Sequence, residues 1–383
     1  MQFALTEEEL LIRDTARTMA QEIAAPLAPV LDRGEGRDQF LKNLKVFAEA
    51  GFMAVNVDAA FGGTEAGTVA FALAIEELGY ACAATGVTAS VTNMVAEVIQ
   101  AVGSEAQKRA YIPKIADGTY PAAGFCLTES GAGSDPAGMK TRARRDGDHF
   151  VLDGEKIYIT SAEYAGLFIV WAVTDPEARK GKGISCFLVE AGTPGLSIGK
   201  AERKLGQHGS ATNTVHFDGC RVPATALMGK LDDGFRIAVG ELAGGRIGIA
   251  ALSLGIARAA MDAAKAYVKE RRQFGQAIAD FQGIQWMVAD RETELEAARL
   301  LILSAAAKKD RGEPFGREAS MAKLFASEAA GRATDTALQL HGGAGYCADY
   351  PVERHVRDAR ITRIYEGTSE VQRLIIARDS FRQ

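Results

Sequence analysis

The chain of 383 residues is longer than one ordinary domain, so we expect two or three domains. Hydrophobic residues make up 47% of it and charged residues 24%, the composition of a globular protein with a large core. A formal net charge of −5 argues against a nucleic-acid-binding surface. No apolar run approaches a membrane-spanning length, and the start MQFALTEEELLIRD lacks the apolar core of a signal peptide. We therefore expect neither a nucleic-acid nor a membrane partner.

The cysteines are scattered, and their odd number and wide spacing fit neither a disulfide framework nor a metal site. No group of histidines and carboxylates has metal-ligand spacing either, so we expect no metal. These observations indicate reduced thiols and a cytoplasmic protein. The five cysteines are Cys82, Cys126, Cys186, Cys220 and Cys347.

Residues 1–118 have helical periodicity. Thr6 and Glu9 form the pattern of a capping box ahead of LLIRDTARTMAQEIA, and Pro26 ends that helix. FLKNLKVFAEAGF and TVAFALAIEELGYACA carry apolar residues at spacings of three and four, and FGGTEAG between them is a loop. This part is predicted to be an α-helical domain.

Residues 119–231 have a different texture. HFVLDGEKIYIT, AGLFIVWAVTD, GISCFLVEA, GLSIGK and TNTVHFDGCRV are short, rich in β-branched and aromatic residues, and separated by Gly, Asp and Pro. Closely spaced segments of this kind are typical of antiparallel strands. We expect a β-barrel or a sandwich.

Residues 232–383 return to helical periodicity in four segments. They begin at FRIAVGELAGG, FQGIQWMVADR, FGREASMAKLF and SEVQRLIIARD. Four such segments predict a four-helix bundle. Because helices, strands and helices follow one another in blocks, the expected fold is mainly α with a central β-barrel domain, not alternating βαβ units.

Three glycine-containing motifs allow ordinary readings. FCLTESGAGSD, residues 125–135, lacks the third glycine and the βαβ context of a dinucleotide loop, so a tight turn is the simpler interpretation. KERRQFGQ, residues 269–276, fits the basic last turn of a helix. LQLHGGAGY, residues 338–346, fits a glycine helix cap, with His341 a satisfied loop residue.

Two charged residues lie in apolar surroundings. Arg246 in ELAGGRIGIAA needs a partner, and either a structural ion pair or an anionic or carbonyl ligand could supply it. Glu366 in RIYEGTSEVQR follows an aromatic residue and precedes a glycine. It is either a solvated acid beside a turn or a carboxylate held in an apolar slot as a base. The residues alone leave both alternatives open.

The ordered set FCLTESGAGSD, GEKIYIT, GGRIGIAA, ERRQFG, LQLHGGAGY and IYEGTSEVQR resembles the acyl-CoA dehydrogenase family over essentially the whole chain. The resemblance implies a helical N-terminal domain, a central β-barrel and a C-terminal four-helix bundle. It implies noncovalent FAD and a homotetramer built as a dimer of dimers. It also implies oxidation of an acyl-CoA to the trans-2-enoyl-CoA, with electrons passed to an electron-transferring flavoprotein.

The resemblance also implies roles for individual residues. Glu366 matches the catalytic base. Residues that match FAD contacts, some of them made to a neighbouring subunit's FAD, are Phe125, Cys126, Leu127, Thr128, Gly133, Ser134, Tyr158, Ile159, Thr160, Arg271, Gln273, Phe274, Gln282, Gln339, Gly342, Gly343, Thr368 and Glu370. Residues that match substrate contacts are Ser134, Ala243, Gly245, Arg246, Tyr365, Glu366 and Gly367.

The chemistry explains these residue types. The α-proton of a thioester is weakly acidic, and a Glu of ordinary pKa is a poor base for it. Excluding water raises the pKa of a carboxyl, which suits the apolar residues before Glu366. In the family the thioester oxygen is held by the backbone N–H of the base residue and by a ribityl hydroxyl of FAD, an oxyanion-hole arrangement. The redox chemistry belongs to the flavin.

The sequence departs from the family pattern at several positions. Ser130 replaces a proline, Tyr158 an aromatic that is often Trp, Ala243 an aspartate and Phe281 a histidine. Ala243 removes one expected polar contact to the substrate. Some relatives carry the base beside the substrate arginine, but Gly245 occupies that place here, which favours Glu366.

Four functions are compatible with this resemblance. The first is an acyl-CoA dehydrogenase for short- to medium-chain substrates, either saturated straight chains or simply branched ones. The second is an oxidase or flavin monooxygenase on the same fold, and the third a desulfinase acting on a carboxylate-tailed acyl-CoA. The third needs a cation at the pocket floor, and residues 85–103, the expected floor, contain no Arg or Lys. The fourth is a FAD-binding protein without catalysis, which an intact Glu366 argues against.

Overall fold

The computed structural model describes residues 4–382. Its N-terminal part is helical, as expected. The Thr6 hydroxyl accepts a hydrogen bond from the Glu9 N–H at 3.2 Å, and the Thr6 N–H donates to the Glu9 carboxylate at 2.7 Å, so the capping box is confirmed. The helices are α1 (Glu7–Met19), α2 (Ala28–Asp32), α3 (Arg37–Glu49), α4 (Gly67–Ala81), α5 (Ala83–Val102) and α6 (Glu105–Ala116).

The middle part is one eight-stranded sheet. Its strands are β1 (Ala122–Cys126), β2 (Arg142–Asp146), β3 (His149–Thr160), β4 (Ala165–Val173), β5 (Ile184–Glu190), β6 (Leu196–Ala201), β7 (Thr212–Pro223) and β8 (Leu227–Met228). The order is β6-β7-β3-β2-β4-β5-β8, with β1 parallel to β4. All five predicted strands are present. Within the described residues the sheet does not close, so the barrel is open. The prediction missed β1, β2 and β8, because their segments lack an alternating apolar pattern.

The C-terminal part contains the four predicted long helices. They are α7 (Gly234–Glu270), α8 (Gln282–Asp310), α9 (Gly316–His341) and, after the additional helix α10 (Val352–Arg360), α11 (Ser369–Ser380). A two-stranded hairpin, β9 (Arg272–Gln273) with β10 (Gln276–Ala277), joins α7 to α8. Helix α10 lies outside the four predicted segments, although the three-residue spacing of its arginines fits a helix face; it buries Val352 and Ala359.

Helix α7 corrects one expectation from the sequence. By length and hydropathy it could cross a membrane, since an 18-residue window has a mean hydropathy of 1.4. The expectation that no apolar run approaches that length is therefore wrong for this helix. However, 83% of the window is buried inside the protein, where α7 packs against α4, α5, α8 and α9. This burial is that of a core helix in a bundle.

Buried ion pairs join the N-terminal helices to the bundle. Glu76 and Glu77 of α4 are at most 5% exposed. Arg258 of α7 donates to both carboxylates, at 2.6 and 3.0 Å, and Arg299 of α8 donates to Glu76 at 2.6 Å. Arg17 of α1 completes the cluster through Glu77. Because each buried charge is paired, the cluster fixes how four helices meet. All five cysteines are unpaired, as predicted.

Helices α4 and α7 also approach each other closely enough to need glycine. A Cβ on Gly255 would overlap the backbone oxygen of Glu76 and lie 2.8 Å from the Tyr80 nitrogen. A Cβ on Gly79 would lie 3.0 Å from the Leu252 carbonyl oxygen. Backbone atoms cannot move aside as a flexible side chain would, so this crossing depends on the missing side chains.

We expect Gly255→Ala to destabilise the protein by about 1 to 3 kcal/mol, because the added methyl overpacks the crossing. Gly240→Ala in the same helix is the matched control. A Cβ there meets nothing within 4 Å, and Ala is the better helix former by up to about 1 kcal/mol. Thermal unfolding should show a lower Tm for the first variant and an equal or higher Tm for the second. Equal effects would contradict the close crossing.

Candidate active site

Glu366 lies at a corner between α10 and α11. Its backbone is left-handed, with φ 53°, and Gly367 follows with φ 85°. Such a φ is unfavourable for a non-glycine residue, and strain of this kind is found at functional sites. Two successive left-handed residues turn the chain sharply, and the turn carries the Glu366 carboxylate into the protein.

The Glu366 carboxylate has no hydrogen-bond partner on its inner oxygen. Oε2 is inaccessible to solvent and unpaired within the described residues. Burial raises the pKa of Glu366, while the charges of Arg246 and Lys323 oppose the rise. An unpaired buried carboxylate is costly, so this arrangement favours the second of the two readings of Glu366, a base in an apolar slot.

The backbone of the same corner is held firmly. Lys323 of α9 donates to the Gly367 carbonyl at 2.8 Å. The Gln372 side-chain amide of α11 donates to the carbonyls of Glu366 and Gly367, at 3.1 and 2.8 Å. Gln207, from the loop before β7, donates to the Tyr365 hydroxyl at 3.3 Å. The hydrogen bonds thus hold the backbone and leave the carboxylate free.

Helix α7 supplies the opposite wall. A Cβ on Gly245 would lie 3.2 Å from Oε2 of Glu366 and 2.6 Å from Sδ of Met94 on α5. Arg246, next in the chain, is 7% exposed; its guanidinium is 3.5 Å from the Ser320 hydroxyl, and its Nε has no partner within the described chain. Burial lowers the pKa of Arg246 and Glu366 opposes this. An ion pair therefore does not satisfy Arg246, which favours a ligand.

The segment FCLTESGAGSD forms a loop after β1. Lys156 of β3 is fully buried and donates to the Glu129 carboxylate at 2.8 Å and to the Leu127 carbonyl at 3.2 Å. Glu129 also accepts from the Thr141 N–H at 3.0 Å. Burial would raise the pKa of Glu129, but Lys156 and these hydrogen bonds hold it below the ordinary value. The pair fixes the loop against the sheet.

Several predicted contacts of this loop are uncovered. Gly133 has open space where a Cβ would be, and Ser134 is exposed. Phe125 is half-buried against Trp171, with ring centroids 4.3 Å apart, and Thr128 is also half-buried. Cys126, in contrast, is fully buried and faces the core of the sheet. The loop therefore presents backbone and small side chains rather than its cysteine.

Tyr158 lies at an irregularity in the pairing of β3 with β7. The register shifts between Lys156 and Ile159, and Tyr158 has φ 58° and is 63% exposed. Bulges often redirect a side chain beside a functional site. Ile159 points back into the sheet core, and Thr160 is half-buried. An exposed, strained aromatic indicates a flat group that covers it from outside the chain.

Helix α5 lies between the loop and the base. Met94 faces Gly245 and Glu366, whereas Thr92 accepts a hydrogen bond from the Ala123 N–H of β1 at 3.4 Å. Thr88, one turn earlier, is 3.4 Å from the Ser161 hydroxyl at the end of β3. One helix therefore contacts the base side, the strand β1 that leads into the FCLTESGAGSD loop, and the end of the strand that carries Tyr158. The base corner and the loop are two walls of one site.

The remaining predicted contacts lie at the far end of the bundle. Phe274 and Gly275 both have positive φ at the tip of the β9–β10 hairpin, and Phe274 is 94% exposed. The ends of α7 and α9 meet where the Tyr267 and His341 rings stack 4.4 Å apart. Exposed around them are Arg271, Gln273, Gln282, Gln339, Gly342 and Gly343. We call these six residues and Phe274 the distal patch.

The distal patch lies far from the base corner of its own chain. Arg271, at the end of α7, is 25 residues beyond Arg246, which at 1.5 Å per residue places it about 37 Å away. In the segment LQLHGGAGY, a Cβ on Gly342 or Gly343 would meet nothing within 4 Å. His341 is buried, and its Nδ1 lies 2.8 Å from the Ala337 carbonyl oxygen. The interpretation of this segment as a glycine helix cap is therefore correct. Phe274 packs edge-on against Phe281, with ring centroids 6.2 Å apart, yet it stays 94% exposed with a left-handed backbone, a kind of strain that is found at functional sites.

The structure adds functional candidates that sequence reasoning missed. Lys323, Gln372, Lys156 and Met94 all contact the site, but each lies inside an ordinary helical or strand pattern with no local signal. Thr368 has a structural role, because its hydroxyl caps α11 by accepting from the Val371 N–H at 3.3 Å. Glu370 in the same turn is exposed. Among the described residues no cluster of three or more His, Cys, Asp and Glu side chains could hold a metal ion.

The site fits FAD by its own features. A flat ring system needs an uncovered aromatic and backbone beside it, which Tyr158 and the Gly131–Gly133 turn supply. Hydride chemistry needs a base close by and water excluded, which the unpaired Oε2 of Glu366 indicates. The loop, Tyr158 and Thr160 would hold the ring, and the distal patch would contact FAD in a neighbouring chain.

We expect Glu129→Gln to weaken the FCLTESGAGSD loop, because it leaves Lys156 buried without a counter-charge. Breaking a buried pair in this way costs about 3 to 5 kcal/mol. The variant should lose FAD at a temperature well below that of the parent protein, as flavin fluorescence on heating would show. The control is Lys180→Met, which removes the exposed ion pair with Asp135 at the end of the same loop and should change little. Unchanged FAD release from Glu129→Gln would refute this role for the pair.

Comparison with known proteins agrees with this geometry. Three family sequence models match in order: the N-terminal domain of acyl-CoA dehydrogenase over residues 6–119, the middle domain over 124–220 and the C-terminal domain over 232–381. The chain is 44% identical to acryloyl-CoA reductase (NADH) of Anaerotignum propionicum, covering 99% of this chain and 96% of that one. It is 43% identical to the short-chain specific acyl-CoA dehydrogenase of Clostridium acetobutylicum over the full length of both.

Solved structures give the same result. Butyryl-CoA dehydrogenase from Megasphaera elsdenii superposes with a TM-score of 0.95 at 38% identity, over the whole of both chains. A chain from a structure described as the electron transferring flavoprotein of Acidaminococcus fermentans superposes at 0.97 with 42% identity, again over both chains in full. The expected family, fold and cofactor are thus confirmed: the chain belongs to the acyl-CoA dehydrogenase family, an FAD-dependent family of enzymes.

Proposed function

We propose that this enzyme oxidises a short- to medium-chain acyl-CoA, straight or simply branched, to the trans-2-enoyl-CoA, with Glu366 as the base. The observation that carries the proposal is the inner carboxylate oxygen of the half-buried Glu366, which is inaccessible to solvent and has no partner, while the backbone is fixed by Lys323 and Gln372. A structural carboxylate would be paired, and a solvated one would be accessible. The Glu366 carboxylate is therefore positioned to accept a proton from a molecule outside the chain.

The residues around Glu366 perform the parts of the reaction that fall to the protein. The carboxylate takes the α-proton, and its raised pKa makes it a better base than an ordinary Glu. The Glu366 N–H donates no hydrogen bond within the described chain, so it is free for the thioester oxygen. The FCLTESGAGSD loop, Tyr158 and Thr160 would hold FAD, which would supply the acceptor for the β-hydride. The electron pair that the α-proton leaves behind forms the new C=C bond, and the hydride carries away the pair of the Cβ–H bond.

The pocket beside the base favours a small acyl group. Met94 faces Gly245 at the base, and one turn along α7 Gly248 is closely covered by Ser90 and the Phe71 ring. These contacts leave little depth between α4, α5 and α7. Residues 85–103 carry no cation that would neutralise a carboxylate tail. The relatives from Clostridium and Megasphaera are named for short-chain substrates, which also supports a short-chain substrate here.

We assign the distal patch to the FAD of a second copy and therefore propose an oligomer, in line with the dimer of dimers implied by the family resemblance. Exposed apolar side chains on α8 and α11 support further contacts between copies: Trp286 is 65% exposed and Leu374 54%. The proposed electron acceptor is an electron-transferring flavoprotein, a protein that also gives its name to the Acidaminococcus structure. The three regions 1–118, 119–231 and 232–383 are proposed as the domains of each copy.

The reverse reaction is the second candidate. It is favoured by the 44% identical relative named acryloyl-CoA reductase (NADH). The same Glu366 would then return a proton to the α-carbon of an enoyl-CoA, since a base in one direction is an acid in the other. The two directions are distinguished by the flavin form that each substrate requires.

The first experiment is an anaerobic titration with acyl-CoAs that range from short and straight to branched, long and carboxylate-ended. Short or branched saturated substrates should bleach the oxidised flavin rapidly, because they fit the pocket. Slow reoxidation in air would then exclude the oxidase alternative. Bleaching by no saturated substrate, with FAD bound, would overturn the proposed oxidation.

Glu366→Gln should bind FAD and acyl-CoA but reduce the flavin roughly a thousandfold more slowly or worse, since it lacks the base. Stopped-flow absorbance in the same anaerobic assay measures this rate. Glu313→Gln, an exposed glutamate paired with Arg311, is the control and should behave as the parent. Reduction by Glu366→Gln at the parent rate would place the base elsewhere.

The assignment of the distal patch predicts complementation between two defective chains. A double variant Arg271→Ala, Phe274→Ala should retain less FAD and lose activity. Co-expressed with Glu366→Gln under a second affinity tag, it should form hybrids with one complete site, which combines its own Glu366 with the partner's intact patch. Activity in doubly tagged hybrids is the measurement. Hybrids as inactive as both parents would show that the patch serves its own chain or none.

A further inference from the structure

Lys323 is a buried cation that the proposed reaction does not use. It lies in the middle of α9 with 0% exposure, and its ammonium donates to the Gly367 carbonyl at 2.8 Å. A buried lysine is unfavourable unless it is paired. Within the described residues Lys323 has no carboxylate within 4 Å, only this carbonyl and the more distant charges around it. The free-energy cost of burying the Lys323 ammonium suggests that this residue has a role in the site.

Every charged group that faces Glu366 can be named. Arg246 on α7 and Lys323 on α9 are the two cations, and both oppose the rise in the pKa of Glu366. On α5 the facing residue is the apolar Met94. Tyr365, next in the chain, is neutral, because burial raises its pKa. Among the described residues, Arg246 and Lys323 are therefore the charges that act on the Glu366 carboxylate.

The two cations differ in what they can do. Arg246 has an unpartnered Nε, so it is available to a ligand. Lys323 is occupied by the Gly367 carbonyl, one residue after the base. Burial lowers the pKa of Lys323 to about 8, and the Glu366 charge opposes that shift. Lys323 is thus mostly charged at neutral pH. It acts on the base in two ways, through its hydrogen bond to the Gly367 carbonyl and through the electrostatic effect of its charge on Glu366.

A second link from α9 supports the same corner. Glu328 accepts from Ser369 at 2.8 Å and pairs with Arg363 at 3.3 Å, and these two residues flank the corner on either side. Gly331 makes room for the Arg363 guanidinium. Helix α9 therefore holds both ends of the corner through Glu328 and its middle through Lys323.

We propose that Lys323 is a positioning residue of the active site: it holds the Gly367 carbonyl, and hence the base corner, and its charge stabilises the ionised form of Glu366. The inference rests on the proposed role of Glu366. The corner needs an apolar slot to strengthen the base, yet an entirely apolar slot would keep the acid protonated at neutral pH. One buried cation, bound to backbone rather than to the carboxylate, limits that effect without consuming the base's lone pairs.

The test compares three variants as FAD-loaded enzymes. Lys323→Met removes the charge and the hydrogen bond, Lys323→Gln removes the charge but retains a donor, and Gln372→Met removes only neutral donors to the same carbonyls. The readout is the single-turnover rate of flavin reduction by the best acyl-CoA, measured from about pH 5.5 to about pH 9.5 so that the range brackets neutral pH. Lys265→Met, a lysine paired with Asp262 and Glu292 away from the site, is the matched control.

The sign of the effect follows from the charge. The rate depends on ionised Glu366 and so rises with pH through its pKa. Removing a nearby cation raises that pKa further, so the midpoint should move to higher pH by about one unit or more in both Lys323 variants. Gln372→Met should lower the rate without moving the midpoint, and Lys265→Met should change neither. Substrate dissociation constants should stay near the parent value.

The outcomes separate the inference from the function on which it rests. If Glu366→Gln abolishes reduction but both Lys323 variants keep the parent midpoint, the inference is wrong and the proposed base stands. If Glu366→Gln reduces normally, the base and the inference fail together. Should Lys323→Met lose its flavin, Lys323→Gln alone decides: a raised midpoint supports the role, and an unchanged midpoint overturns it.

Discussion

The structure depends on one unfavourable arrangement, a carboxylate buried without a hydrogen bond to its inner oxygen. Glu366 can stay there only because other groups hold its backbone: Lys323 and Gln372 bind the carbonyls of the corner, and Gln207 binds the neighbouring tyrosine. The left-handed φ of Glu366 is part of the same arrangement. Stability of the surrounding helices thus maintains a local conformation that is itself unstable, which is how strained functional residues persist.

The helices around the site are accordingly packed with little freedom. Glycines let α7 approach α4 and α5, and the buried cluster of Glu76, Glu77 and Arg258 joins the N-terminal helices to the bundle. Helix α5 connects the packed helices to the sheet, because it lies against the base and also contacts the strands beside the FCLTESGAGSD loop. The relative placement of base and cofactor loop is therefore set by helix packing and not by the flexibility of either loop.

Two aromatic side chains of the described chain point largely outward. Tyr158 and Phe274 are exposed aromatics with left-handed backbone, one at the irregularity in β3 and the other at the tip of the β9–β10 hairpin. The length of α7 separates Phe274 from the base corner, so under the proposed function a single copy is chemically incomplete. The same proposal assigns the exposed face of Tyr158 to the cofactor and that of Phe274 to a second copy.

The sequence by itself determined the order of helices, strands and helices, because hydrophobic periodicity is a local property, and the ordered motifs identified the family. It also selected Glu366 and Arg246 as unusual, but could not show whether either was paired. Tertiary structure decided that, and it brought in Lys323, Gln372 and Met94, which look like ordinary helix residues. It also opened the predicted barrel and added β1 and α10. The physical reason is that burial, pairing and charge depend on residues distant in the chain, which no local pattern records.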